Sequence, residues 1–446
     1  MIEFLQIILS FFLFFLIITV PINIFNPKLF IDKKFSSLEI ASFNLILNCN
    51  ILLFLSILPI ALRSYNLFFI FLYIFIFIYI YFIQNSKFDL YKKFIQFLSI
   101  FFIIYLIIAT NVAGELILGW DVKFFWYINA LFFVENQNLY DLDKFAYGTW
   151  QPHLGTYIWA FFWNLMPIKL EYFGRLFYVF ILCFSIFYVC HNNARDKFVS
   201  NIIFILIILF FYKYERFSGL QEILIFSFLA ILSKYFSLLK DSKNIYQVFF
   251  IVLGCNLLIW FKAEGIVYSS ILVLLLNFSN QILRKIKIYI NISYAFIIIF
   301  KIVIYHYFLD ATLIDIKGQP YYLGYILNLN FEFIIHKLKF IIPYLFYYVL
   351  TNVFFISGII ILCLLNFQKK NSSYIKLVNF YFILNLIFIF SAYIFRDQEI
   401  EHSVRTTMER IIFTSSGFYV FLTINFFKNI NNNLKNNYYN SNFNKV

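Results

Sequence analysis

Charge is scarce in this sequence. Of 446 residues only 13% are Asp, Glu, Lys or Arg, against about a quarter in a soluble domain. That shortage excludes a water-soluble globule. Joined to 63% hydrophobic residues, it also excludes a disordered chain, which needs the opposite composition. Glycine (12) and proline (7) are too few for a collagen-like or linker-rich architecture. Neither a GxxxxGK[ST] nor a GxGxxG run occurs, which disfavours a nucleotide-driven pump. There is no sign of a soluble domain, an internal repeat or a coiled coil. Cys49, Cys183, Cys190, Cys255 and Cys363 lie in or beside apolar blocks without CxxC spacing. We read them as small buried hydrophobes, forming neither a disulfide framework nor a zinc cluster.

What is present is apolar sequence in helix-length blocks, the mark of an all-α polytopic membrane protein. A span needs about 20 apolar residues. The blocks are 4–25, 38–61, 66–84, 94–113, 172–190, 199–213, 220–239, 246–261, 265–279, 286–308, 340–365, 374–395 and 411–427. They predict about 13 transmembrane helices in one domain over 1–427. Blocks 199–213, 246–261 and 265–279 are short, which suggests a locally thin site. Phe (66) and Tyr (34) are abundant, as in A/T-rich coding sequence, so an aromatic stripe is not by itself a ligand cage. Glu3 precedes the first apolar run and no basic region does, so we expect a retained first helix rather than a cleaved leader.

The net charge of +13 invites a nucleic-acid partner, but its distribution argues for none. Lys and Arg sit in short loops between apolar blocks. One set of loops is basic, including Lys92, Lys197, Lys240, Lys285, Lys370 and Lys428. The alternate set holds most of the acids, including Glu115, Asp121, Glu222, Glu264, Asp315 and Glu401. The positive-inside rule puts the basic set and the C-terminus in the cytoplasm. The acidic set then faces the periplasm or an equivalent lumen, in outer loops 114–153, 309–339 and 396–410. Residues 154–167 end in Pro167 and are too short to cross, so we read them as a re-entrant or oblique segment. Residues 428–446 are Asn-rich, and a disordered cytoplasmic tail is expected there.

Four polar regions fall in the outer set. In 119–153, Asp121 follows a membrane helix, and the apolar stretch Val122 to Val134 suits the interface. Asp141, Asp143 and His153 lie in the loop that returns to the membrane. A carboxylate at the water–lipid boundary can accept a proton from a substrate hydroxyl or coordinate a cation. Equally, Asp121 can cap the helix that follows it. In FKAEG at 261–265, Lys262 can meet a phosphate as a point charge, or snorkel from an interfacial turn. In EHSVRTTMERIIF at 401–413, a helix would put His402, Thr406 and Arg410 on one face. The same helix would pair Arg405 with Glu409. Arg410 can grip a phosphate bidentately, or the segment is a solvated helix end. YERFSGLQE at 214–222 holds Glu215, Arg216 and Glu222, which an Arg–Glu surface pair explains as well as a site does.

The order of these features resembles the GT-C superfamily of integral membrane glycosyltransferases, which use polyprenyl-phosphate-linked sugars as mannosyltransferases and aminoarabinose transferases do. The likeness runs from Gly119–Trp120–Asp121, with Trp126 five residues on, through Pro152 and an outer-loop acid, Glu215 or Glu222. It continues with Lys262–Ala263–Glu264–Gly265 and ends with His402 and Arg410, over about residues 94 to 425. The resemblance implies a helical bundle with a large first periplasmic loop carrying juxtamembrane helices, set in a bacterial inner membrane. Asp121 would be the general base. Lys262, His402, Arg405 and Arg410 would hold the carrier phosphate, with Glu215, Glu222 or Glu264 as a secondary acid. Trp120, Trp126, Asp141, Asp143 and His153 would form the substrate loop. The donor would be a polyprenyl-phosphate-linked sugar, and the acceptor a glycan, lipid or protein. Many members carry a second acid directly after the loop Asp, whereas Val122 stands there in this chain. Some members bind a divalent metal ion and others do not; Val122 weakens a metal assignment here, and no ligand set is assigned. The alternatives are a lipid-linked glycan polymerase or ligase, and a transporter or flippase that makes no bond.

Overall fold

The structure is a computed structural model that describes residues 2–19, 35–83, 88–115, 118–135, 137–142, 152–191, 197–239, 245–309, 330–368, 372–395 and 399–429. Among the described residues the chain is helical and has no strand. Among the described residues seven helices are long and apolar enough to cross a membrane, and six further apolar helices have 10–17 residues. This is the build of a helical membrane protein. In a hydrocarbon environment each segment must satisfy its own backbone groups, which a helix does.

The helix α1 (Tyr172–Cys190) is buried along its whole length and forms the axis of the bundle. Around it pack Ile2–Thr19, Phe88–Gly114, Lys197–Phe211 and α2 (Glu222–Leu238). Helices α3 (Ile245–Phe261) and α4 (Gly265–Phe278) form a hairpin against α2 and Ser37–Ile57. The last long element, α5 (Ile400–Ser416), continues through the turn Gly417–Tyr419 to Asn429 and packs on α2. At the periphery, Arg284–Phe308 and Phe331–Thr351 leave most of their residues uncovered, among them Phe296 and Phe346. An uncovered apolar face of this size fits lipid contact rather than water.

The apolar blocks and the helices agree in most places. Block 172–190 coincides with α1, and 246–261 and 265–279 with α3 and α4. Residues 154–167 contain a twelve-residue helix, Leu154–Leu165, buried from Leu154 to Trp163. At 1.5 Å per residue it spans roughly 18 Å, short of the hydrocarbon thickness. One expectation needs correction. Block 340–365 is not one span: it holds the end of Phe331–Thr351 and most of Val353–Phe367, broken at Asn352. Asn352 takes an extended conformation and its side chain accepts from Phe355 N (3.0 Å). Within the expected outer loops, 331–339 and 400–410 are helical. Beyond Asn429 the expected tail lies outside the described residues, as does Asp143.

The two ends of the bundle carry different charges. Glu222 opens α2 and pairs with Arg410, which lies past the midpoint of α5. At the far end of α2, Lys234 Nζ donates to the Tyr188 carbonyl (2.7 Å) and sits over the Tyr188 ring. Nearby, Lys428 donates to Ser200 Oγ (2.9 Å) and to the Cys190 carbonyl.

Candidate functional site

Four stretches of sequence meet at the acidic end of the bundle. The first begins at Gly119 and Trp120, where a helix starts whose first turn is a π-helix, Val122–Trp126, continuing as Tyr127–Val134. π-turns inside helices often mark functional sites. The second is the turn 218–221. Gly219 has φ +107°, which a side chain rarely tolerates. A Cβ there would also stand 2.5 Å from the Trp159 ring and 2.8 Å from Val122. The missing side chain thus lets the Asp121 segment lie against the entrance to α2. Gln221 fixes this turn by donating to Tyr178 Oη (3.0 Å) and to the Gly219 carbonyl (2.9 Å). Arg175 supports it from α1, donating to the Phe217 carbonyl (3.0 Å) and pairing with Glu171 (2.6 Å).

The third stretch is the turn 262–264 between α3 and α4. Gly265 closes it, because a Cβ at that position would lie 1.7 Å from the Leu258 carbonyl oxygen. The fourth is α5, where His402, Thr406 and Arg410 all face the same space. Tyr268 ties α4 to this helix by donating to the Ile411 carbonyl (3.3 Å).

These stretches enclose a cavity of about 900 Å³. Asp121, Lys262, Glu264, His402 and Arg410 line it, with Trp120 and Trp126. Leu220, Ile411 and Phe125 supply apolar wall. The volume lies in the upper part of the range for small-molecule sites, roughly 300–1,000 Å³.

The charged residues form one chain of contacts. Arg410 Nη1 donates to Asp121 Oδ2. Arg410 Nε donates to Glu222 Oε1 at 2.5 Å, and Lys262 Nζ donates to the same oxygen at 3.0 Å. Lys262 Nζ also reaches Glu264 Oε1 at 2.9 Å. Glu222 is the deepest member, its side chain only 4% exposed, whereas Asp121 is 38% exposed. Burial works against the charge on Lys262. The Glu222 and Glu264 carboxylates outweigh that burial, and the ammonium is held above its ordinary pKa.

Asp121 does not cap its helix: its side chain makes no capping bond, and its carboxylate turns to Arg410 instead. Other candidates sit elsewhere. His153 is fully buried, its Nε2 2.8 Å from Ser56 Oγ and its Nδ1 3.1 Å from Tyr305 Oη, and it does not line the cavity. Asp141 lies on the turn Leu139–Asp141, away from the lining. Arg405 is 66% exposed and pairs with Glu401 at 4.0 Å, not with Glu409, which pairs with Lys213 at 3.3 Å. Glu215 lies on the turn Tyr214–Phe217, and its side chain is outside the described part. Sequence reasoning did not single out Thr407, which also lines the cavity and shares a hydrogen bond with Tyr393 Oη (2.9 Å). Its neighbour Thr406 marked the helix face, but Thr407 itself carries no signal in sequence.

A divalent metal does not fit these residues as arranged. Among the described residues no group of three or more His, Cys, Asp or Glu side chains is placed to hold one. Asp121, Glu222 and Glu264 each give an oxygen to Arg410 or Lys262. No family model, no curated protein and no solved structure matches the chain.

Proposed function

We propose that this chain is an integral membrane glycosyltransferase of the GT-C kind. It moves a sugar from a polyprenyl-phosphate carrier to a hydroxyl of a glycan, lipid or protein acceptor. In this reading it has about 13 spans in a bacterial inner membrane, and its cavity opens to the periplasm. The observation that carries the reading is the meeting of Asp121, Lys262 and Arg410 at one cavity, from positions far apart in the sequence. A carboxylate beside two cations suits a reaction that removes a proton and expels a phosphate.

In this mechanism the acceptor oxygen attacks the anomeric carbon of the donor. Its proton passes to Asp121, the bond from that carbon to the carrier phosphate breaks, and the configuration inverts. Arg410 and Lys262 turn from their carboxylates to the phosphate as its charge develops. Arg410 offers a planar fork and Lys262 a point charge. His402 on the cavity wall can donate a further hydrogen bond. The apolar wall of Leu220, Ile411 and Phe125 accommodates the first isoprene units. Mass spectrometry of surface glycans and lipid-linked sugars, in cells with the protein, without it, and with Asp121→Asn, tests the reading. The expected result is loss of one glycan and accumulation of its lipid-linked donor in the last two. Unchanged glycans in cells lacking the protein would reject it. Movement of a lipid-linked sugar across proteoliposomes without new bond formation would favour a transporter.

A further inference from the structure

We infer that the cavity takes up its phosphate-bearing ligand together with one proton, and that the buried carboxylate of Glu222 receives it. The inference rests on the glycosyltransferase reading for the class of ligand, a lipid phosphodiester.

Three carboxylates here face two cations: Asp121, Glu222 and Glu264 against Arg410 and Lys262. The cluster already leans negative, and an incoming phosphodiester adds one more negative charge. To bind it, Arg410 and Lys262 must turn toward the phosphate. Asp121 and Glu264 stay partly exposed, at 38% and 30%, so water can sustain their charge. Glu222 has no such recourse, because its side chain is 4% exposed. Besides its own backbone N–H, its carboxylate is held by Arg410 and Lys262, both at Oε1, and its Oε2 is buried without a side-chain partner among the described residues.

The other charged groups around it are committed elsewhere. From α1, Arg175 is paired with Glu171 and bound to the Phe217 carbonyl. From the turn Tyr214–Phe217, Arg216 lies over the Phe413 ring. From α4, Tyr268 donates to the Ile411 carbonyl. From α5, His402 is exposed on the cavity wall. A carboxylate buried without a cation is costly in low dielectric and takes a proton instead. The proton comes from solvent and settles on Glu222 Oε2, the unpartnered oxygen; no covalent bond to the ligand is made. Glu222 is then a positioning residue that holds both cations ready and neutralises itself when they leave.

The test is calorimetric titration of the full chain in detergent with farnesyl methyl phosphate, a phosphodiester that does not itself ionise near neutrality. Titrations in PIPES and in Tris at one pH give the number of protons exchanged. The expected result is uptake of one proton and an affinity that falls about tenfold for each unit rise in pH. Infrared difference spectra should gain a protonated-carboxyl C=O band on binding. E222Q should bind with no buffer dependence and without that band. Should E222Q fail to fold, the wild-type proton count and infrared band decide alone. Binding without proton uptake overturns this inference and leaves the glycosyltransferase reading standing, as does uptake that persists in E222Q. No binding at all overturns both.

Discussion

Arg410 and Asp121 are 289 positions apart in the sequence and joined by a hydrogen-bonded ion pair. The pair gives Asp121 a task other than capping, and it supplies Arg410 with a partner that a ligand phosphate can replace. It also sets the first prediction. Asp121→Asn keeps the shape of the side chain and its place beside Arg410 but removes the proton acceptor. Sugar transfer should fall by about 10²- to 10⁴-fold. The fold should lose little, because a pair this exposed contributes about 1 kcal/mol or less. Transfer measured beside a melting curve in detergent checks both halves, and retained transfer in a folded protein would remove Asp121 from the mechanism.

Replacing Arg410 should behave differently, because its second partner is buried. Arg410→Ala leaves Glu222 with Lys262 alone, and breaking a buried pair from one side costs about 3 kcal/mol. The melting temperature should drop by several degrees and transfer should be lost. Arg410→Lys cannot reach Asp121 and Glu222 together, so it should recover stability before it recovers transfer. Arg405→Ala is the contrast: with Arg405 66% exposed and only distantly paired to Glu401, stability should stay within about 0.5 kcal/mol of the parent. A large transfer defect in Arg405→Ala would mean that the carrier also binds outside the cavity.

Much of the helical layout was legible in sequence because hydrophobic runs are interrupted where chains leave the bilayer. Block 172–190 was bounded correctly since Glu171 and His191 flank it. The break at Asn352 was not legible, because averaging over a span hides one capping residue. The shared face of His402, Thr406 and Arg410 was legible from their four-residue spacing, and α5 turns that face to the cavity. Spacing allowed Arg405 to pair with Glu409 or with Glu401. The pair with Glu N-terminal to Arg has the better orientation, and Glu409 is taken by Lys213 from another element. Asp121, Lys262 and Arg410 were legible as chemistry-bearing types. That they share one side was legible from the alternation of charge, but the bridge of Glu222 between Arg410 and Lys262 was not, since nothing local in the sequence encodes a contact over hundreds of residues.

Gly265 offers a test of how the site is held. A Cβ at this position would collide with the Leu258 carbonyl, which belongs to backbone and cannot swing aside. Gly265→Ala must therefore push α4 away from α3 and move Lys262 and Glu264 with it. We expect a loss of about 2 kcal/mol or more. Any folded fraction should bind farnesyl methyl phosphate more weakly than the parent. A variant with parental melting temperature and affinity would show that this close approach does not set the turn.

His153 makes a prediction about pH. Ser56 Oγ donates to the Leu53 carbonyl (2.6 Å), so it accepts from His153 Nε2–H. Tyr305 then donates to Nδ1, and the ring is satisfied in its neutral form. Burial, helped by nearby Lys301, lowers its pKa to about 3. A histidine held below its ordinary value adds nothing to the pH dependence while both states are neutral. Once pH falls under about 6.5, the unfolded chain binds a proton that the folded one refuses, so stability falls with pH. Between pH 7 and 5 the loss from this group should be about 2 kcal/mol. His153→Gln can still donate to Ser56 and accept from Tyr305, but it cannot ionise. Melting curves of the two proteins should therefore converge as the pH is lowered, with the parent losing more. Parallel curves across this range would mean that His153 is charged, or open to water, in the folded protein.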